Sequence, residues 1–288
     1  MLTREQIAFY EENGFLVVED IIPQADIARA REVVEEFVER SRAVSHHDAV
    51  YDLEPGHSAE QPRVRRLKDP CSLDPIFQKI GFSDAVLDCV AALIGPGIRY
   101  QASKLNLKSA AFGSPVEWHQ DFAFYPHTND DLLAVGYALD DCTLENGCML
   151  MIPGSHRWKV LDHHQDGVFV GAVDVEKQGV DTGKAVPVPV RAGGISLHHC
   201  RMLHGSAPNT SRQPRRLFLI QFTALDAWPM TERVDDIGVF DAKILRGEPT
   251  RAFRVKEMDI RVPFPTPEYQ GTIYELQELF RPKSFTGR

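Results

Sequence analysis

Two residues able to bind a metal stand one apart in Trp118-His119-Gln120-Asp121. On a strand, alternate side chains share a face and their Cα atoms lie roughly 6.6 Å apart. One imidazole and one carboxylate can then reach the same ion. A third histidine from a distant strand would complete a 2-His-1-carboxylate facial triad. Such a triad leaves adjoining coordination positions open, which suits non-haem Fe(II) taking a bidentate cosubstrate and then O2. Alone, a His-x-Asp triplet reads equally well as a surface pair or a simple hydrogen bond. A second segment changes that balance. In Gly193-Gly194-Ile195-Ser196-Leu197-His198-His199-Cys200-Arg201-Met202-Leu203-His204-Gly205-Ser206-Ala207-Pro208-Asn209, strand-like residues lead to His204 and a turn of small residues. Arg215 follows, just before the apolar run Leu217–Phe222. An arginine entering a buried strand needs an anionic partner, because an unpaired buried charge is costly. A dicarboxylate would supply one through a bidentate guanidinium contact. Read alone, Arg215 could equally be a surface side chain.

The elements that must position these residues change character along the chain. Thr3 and Gln6 have capping-box spacing ahead of a short helix that Gly14 stops. Phe15–Val18 reads as a strand. Ala25–Val38 repeats apolar residues at helical spacing, and Ser83–Ile94 does so again, with Ser83 as cap and Gly95-Pro96 as stop. The polar stretch 45–63 reads as a loop. From Ile98 to about Leu225, short apolar runs alternate with turn residues. Leu132–Leu139, Cys148–Ile152, Val186–Val190, Ile195–His199 and Leu217–Phe222 are the clearest strands, a pattern of sandwiches and barrels. Asn146-Gly147 predicts a hairpin turn. Beyond Pro229 only Thr272–Phe280 suggests a helix.

The 288 residues are 43% hydrophobic and 25% charged, which is ordinary globular composition with enough chain for a sizeable core. We expect one domain over 1–288: a helix-rich part (1–96), a catalytic core (97–226) and a C-terminal extension (227–288) packed on that core. Lys and Arg number 32 against 41 Asp and Glu, for a net charge of −9. The best basic cluster, Arg63 to Lys68, is short, so nucleic acid is not an expected partner. The first residues show no basic region followed by an apolar core, and no apolar run approaches the roughly 20 residues that span a bilayer. Five cysteines without a C-x-x-C pair fit a reducing compartment. These features predict a cytoplasmic protein without a membrane partner and leave its oligomeric state open.

Together, W-H-Q-D at 118–121, N-G-C-M-L-M-I-P-G-S-H at 146–156 and H-G-S-A-P-N at 204–209, with Arg215 beyond, resemble the phytanoyl-CoA dioxygenase family of Fe(II)/2-oxoglutarate oxygenases. The resemblance runs from about residue 5 to 226 and is weakest over 40–65. It implies a mainly β fold with flanking helices: a double-stranded β-helix, or cupin-like jelly-roll barrel, under an N-terminal helical layer. It also implies His119, Asp121 and His204 as iron ligands and Arg215, helped by Ser206, as the 2-oxoglutarate clamp. Gln101, Tyr137 and Arg66 would be further cosubstrate contacts. The implied cofactors are Fe(II), 2-oxoglutarate and O2. The implied reaction is hydroxylation of a small molecule with release of succinate and CO2. Halogenating relatives replace the carboxylate ligand with a small residue, and Asp121 is present. Two alternatives are a 2-oxoglutarate-independent metal dioxygenase and a non-enzymatic cupin-like metal-binding or sensor protein; succinate release would separate them. No CoA-specific basic pocket is evident.

Around the triplet, Phe124, Tyr125 and Asn129 are candidate substrate contacts, as are His163, His164 and Trp228 from elsewhere. Alternation puts His198 and His199 on opposite faces. His199 matches a histidine common in the family, and a packed position beside the ligands is expected for it. His156 reads as part of a structural turn.

Overall fold

The computed structural model describes residues 1–268 and 272–285. Helix α1 (Arg4–Asn13) begins at the expected Thr3/Gln6 capping box and ends at Gly14, whose φ of +83° suits glycine. Strand β1 (Phe15–Val18) follows, then α2 (Gln24–Arg40), which buries Ile27, Ala30, Val33, Val34 and Phe37 on one face. The polar stretch expected as a loop contains β2 (Tyr51–Leu53), paired with β3 (Val64–Lys68). Tyr51 and Leu53 bury there, a short apolar alternation hidden by its polar flanks. Helices α3 (Pro70–Leu73), α4 (Pro75–Gly81) and α5 (Asp84–Ile94) complete the first third. The Ser83 hydroxyl donates to the Ile80 carbonyl and does not cap α5.

The remainder is mostly strand: β4 (Ile98–Lys108), β5 (Val116–His119), β6 (Leu132–Ala138), β7 (Met149–Met151), β8 (His164–Gln165), β9 (Val168–Phe169), β10 (Val186–Val188), β11 (Ile195–His199), β12 (His204–Ser206) and β13 (Arg215–Ala224). The tail adds α6 (Ile237–Asp241), β14 (Ile244–Arg246) and α7 (Ile273–Glu278). A large antiparallel sheet runs β1-β11-β6-β13-β4-β3-β2, with β14 also on β4. A smaller one runs β10-β7-β12-β5, and β8 pairs with β9 alone. Because β6 and β7 belong to different sheets, Asn146-Gly147 carries the chain between sheets and is not a hairpin turn. Asn146 braces the passage through Thr143 N–H and the Asp141 carbonyl.

Register divides the large sheet into two faces. Leu67, Leu105, Phe218 and Tyr137 align across β3, β4, β13 and β6 and pack toward the helices in the main core. One residue along, Arg66, Asn106 and Leu217 align on the other face. Fully burying each large apolar side chain of the first set stabilises the fold by roughly 1.5–3 kcal/mol. No helix among the described residues is long and apolar enough to cross a membrane.

Candidate metal centre and cosubstrate pocket

Strands β5 and β12 pair so that His119 lies opposite His204, and their rings approach to 4.1 Å between centroids. Asp121 follows β5 in a short 3-10 turn, with a carboxylate oxygen 3.8 Å from His119 Nε2. One potential ligand atom from each of His119, Asp121 and His204 falls within 4.8 Å of the others, and all three residues are buried. The tautomers are set by the backbone. His119 Nδ1–H donates to the Glu117 carbonyl at 2.8 Å, and His204 Nδ1–H donates to that of Met202 at 2.9 Å. Both Nε2 lone pairs are thereby left for an ion.

Electrostatics support the same charge state. Burial, reinforced by neighbouring His204, pushes His119 well below the usual imidazole value. Burial and His198 bring His204 down to about 4. Burial alone would raise Asp121, but Lys104 and the imidazoles of His198 and His204 hold it well below the carboxylate range. Two neutral imidazoles and one carboxylate make a donor set that suits a divalent ion without first releasing protons. His198 is fully buried with Nε2 3.4 Å from Asp121 Oδ2, and its ring lies 4.6 Å from that of His204. His199 points the other way, toward His156 and Asp130. The alternation expected for this pair is seen, but it is His198, not His199, that packs beside Asp121 and His204.

A pocket opens from the triad between the two sheets, walled by Arg66, Lys104, Asn106, Met149, Ser206 and Arg215. At its far end Arg215 faces Lys108 across β13 and β4. Arg215 is 2% exposed, its Nε has no partner, and no carboxylate pairs with it among the described residues. Lys108 Nζ donates to Ser206 Oγ at 2.8 Å and to the Ala207 carbonyl. Burial, then the nearby Arg215 charge, pushes Lys108 well below the usual lysine value. Neither Arg215 nor Lys108 has an ion-pair partner among the described residues, an arrangement with room for an incoming carboxylate.

Several residues singled out from sequence lie elsewhere. Tyr137 sits on the helix-facing side of the sheet, donating to the Gly81 carbonyl at 3.0 Å and packing on Phe218. Gln101 falls where the β4/β13 register slips between Gln221 and Phe222, and its amide points outward to Glu232. Asn129 is consumed by carbonyls of Asp226 and Arg254. His163 is buried with both ring nitrogens engaged, by Leu161 and by Gln120 N–H. His164 lines a separate groove with Asp162 and Arg281. Trp228 packs on Phe240 in the tail. In contrast, Phe124 stands edge-on to His119 at 5.9 Å. The Tyr125 hydroxyl accepts from Gln221 at 2.6 Å, and burial with the Asp121 charge raises it well above the usual phenol value. Lys104, Asn106, Lys108 and the tail residue Ile273 form or adjoin the pocket without having been singled out. For the β4 residues the signal was present, since Lys104-Leu105-Asn106-Leu107-Lys108 alternates polar and apolar side chains.

The strand arrangement and donor set define an oxygenase of the 2-oxoglutarate-dependent class, and comparison with known proteins agrees. The structure of EctD from S. alaskensis with 2-oxoglutarate and 5-hydroxyectoine superposes with a TM-score of 0.68 at 21% identity, covering 88% of this chain and 87% of that one, which bears on fold. The apo non-heme monooxygenase ThoJ gives 0.66 at 25% identity, with 90% of each chain covered. The phytanoyl-CoA dioxygenase (PhyH) profile matches residues 10–217, and the chain belongs to that family. A probable alpha-ketoglutarate-dependent hypophosphite dioxygenase of Stutzerimonas stutzeri is 32% identical over 285 residues, 98% of this chain and 99% of that protein. Human peroxisomal phytanoyl-CoA dioxygenase is 27% identical over 237 residues, 78% of this chain and 70% of that protein. The protein is an Fe(II)- and 2-oxoglutarate-dependent dioxygenase.

Proposed function

We propose that His119, Asp121 and His204 hold Fe(II), that Arg215 receives the far carboxylate of 2-oxoglutarate, and that the enzyme hydroxylates a small molecule at the triad end of the pocket. The observation that carries this reading is the pairing, within one pocket, of a buried neutral-His/carboxylate triad with a buried arginine that has no counter-ion among the described residues. Bound iron supplies the oxygen chemistry that couples decarboxylation of 2-oxoglutarate to oxygen insertion. The chain's part is positional. The Glu117 and Met202 carbonyls fix the two imidazoles, and His198 steadies the Asp121 carboxylate. Ser206, fixed by Lys108, faces the same carboxylate site as Arg215. Ile273 and Met149 help exclude water from the space between.

In this reading the two sheets are the walls of a double-stranded β-helix, and 1–288 acts as one catalytic unit with the tail packed on it. Cytoplasmic placement fits the five unpaired cysteines, all buried. The relative that spans nearly the whole chain is named for hypophosphite, which makes that anion the first substrate to try here. The test is succinate formation from 2-oxoglutarate across a small-metabolite library, in wild type beside His204→Ala. Wild-type turnover that the variant lacks is expected, and equal turnover in both would refute the ligand assignment.

A further inference from the structure

We propose that Lys104 forms a subsite for a negative charge on the substrate, so that this enzyme acts on an anion. The inference rests on the assignment of iron to the triad and of 2-oxoglutarate to Arg215. Lys104 lies on β4 opposite Leu219, four residues before the Lys108 that faces Arg215. Along a strand that is roughly 13 Å from the cosubstrate's far carboxylate, at the metal end. Lys104 lines the same pocket as His119, Asp121 and His204. It has no hydrogen bond or ion pair among the described residues. Arg66, on β3, spends Nε on Asn106 Oδ1 at 3.0 Å, while its Nη2 is buried without a partner. Arg66 is 8% exposed, and no carboxylate pairs with it among the described residues.

Charge balance gives the subsite its ligand class. The pocket wall carries the cations Arg66, Lys104 and Arg215 against the single carboxylate Asp121. Fe(II) and the 2-oxoglutarate dianion would cancel each other, so a surplus of two positive charges remains on the pocket wall. Surplus buried charge is costly until a counter-ion arrives. A neutral substrate would leave that cost in place, whereas an anion relieves it. Ile273, from the tail, lines the same pocket. Charge therefore points to an anionic ligand, such as a phosphorus oxyanion or a short carboxylate, held beside the iron.

For a P–H substrate the step balances without another reagent. One atom of O2 enters H2PO2−, converting P–H to P–OH and giving H2PO3−. The other atom enters succinate, and CO2 leaves. The experiment uses anaerobic Fe(II)-loaded protein. 2-Oxoglutarate is titrated first, followed by hypophosphite, methylphosphonate, acetate or ethanol, with calorimetry and the visible absorption of the ferrous chelate as readouts. Wild type should bind at least one of the anions and not ethanol. Lys104→Met should weaken that anion by roughly 30-fold or more while 2-oxoglutarate affinity moves by less than about threefold. Lys104→Arg should restore part of the anion binding. If wild type binds 2-oxoglutarate but none of the anions, or prefers ethanol, the subsite is refuted and the iron and cosubstrate assignments stand. If Lys104→Met loses 2-oxoglutarate instead, Lys104 belongs to the cosubstrate and the inference fails. If wild type binds no 2-oxoglutarate, the underlying assignment falls, and this one with it.

Discussion

Strands β4 and β13 carry two chemistries on opposite faces. Leu105, Phe218, Ile220 and Phe222 turn toward the helices and join the main core with Tyr137 and Phe77. Lys104, Asn106, Arg215 and Leu219 turn toward the small sheet and wall the pocket. The backbone hydrogen bonds are shared by both faces, so the sheet's pairing energy does not distinguish them. Apolar burial against the helices stabilises the fold, and that stability sustains a second face whose buried cations oppose it until ligands bind. The two faces should therefore fail in different ways.

The largest effect is expected on the pocket side. His119→Ala and His204→Ala should each abolish Fe(II)-dependent turnover, while the metal-free protein stays folded because the apolar core against the helices is untouched. Iron titration together with thermal unfolding checks both halves. Wild-type iron affinity with full activity would break the assignment. Next comes Arg215→Ala, which removes a charge-assisted contact from a desolvated pocket. A cost of about 2–5 kcal/mol is expected, or roughly 30- to several-thousand-fold in 2-oxoglutarate affinity. Iron binding should change little. Arg215→Lys should recover only part of the loss, because an ammonium cannot make the planar fork. Calorimetric titration of the anaerobic Fe(II) protein measures it, and equal affinities would remove Arg215 from the cosubstrate site.

On the helix-facing side the pattern reverses. Phe218→Ala, three residues from Arg215 in sequence, empties a fully buried ring site beside Tyr137 and Phe77. Unfolding free energy should fall by about 3–5 kcal/mol, with 2-oxoglutarate affinity of the folded fraction near wild type. Denaturant titration reads the first quantity. A large affinity loss at unchanged stability would show that the two faces are not separable.

The smallest effect lies off both faces, at His127. Its Nδ1–H donates to the Tyr125 carbonyl, and burial lowers it to about 4. The unfolded chain protonates near the ordinary imidazole value, about 6.5, and the native state resists protonation until about 4. Its contribution is therefore full above 6.5 and lost as pH falls between the two values, on the order of 2–3 kcal/mol. His127→Asn should flatten that part of the acid limb in stability measured against pH. An unchanged slope would show that other groups carry it.

How much of this was legible beforehand follows from the range of each signal. His119 and Asp121 stand one residue apart, and His204 opens the small-residue stretch that forms β12, so the triad needed only pairing of β5 with β12. The family resemblance, borne out by the match over 10–217, supplied that pairing. Period-two alternation would have placed Tyr137 correctly once its register with Phe218 was known, but register is a tertiary fact. The bulge that displaces Gln101 leaves no mark in composition. Asn129 and Trp228 stood near the triplet or among aromatics, and only the path of the tail shows that it absorbs them. Lys104 was readable from its own strand. Ile273 was not, because nothing local links α7 to a pocket formed by strands more than fifty residues away.

Through α7 the tail is tied to the pocket and to the strand that carries His119. Ile273 reaches the pocket, Gln277 bonds the backbone of Glu117 beside the metal strand and of Gly171, and Phe285 packs on Trp118. Gly205, between His204 and Ser206, leaves the room this needs: a Cβ there would meet Phe285 at 2.9 Å. The tail lies beyond the span matched by the family profile and contributes none of the proposed ligands. A substitution at Ile273 therefore reshapes one wall of the pocket while His119, Asp121 and His204 keep their places on β5, the turn after it and β12.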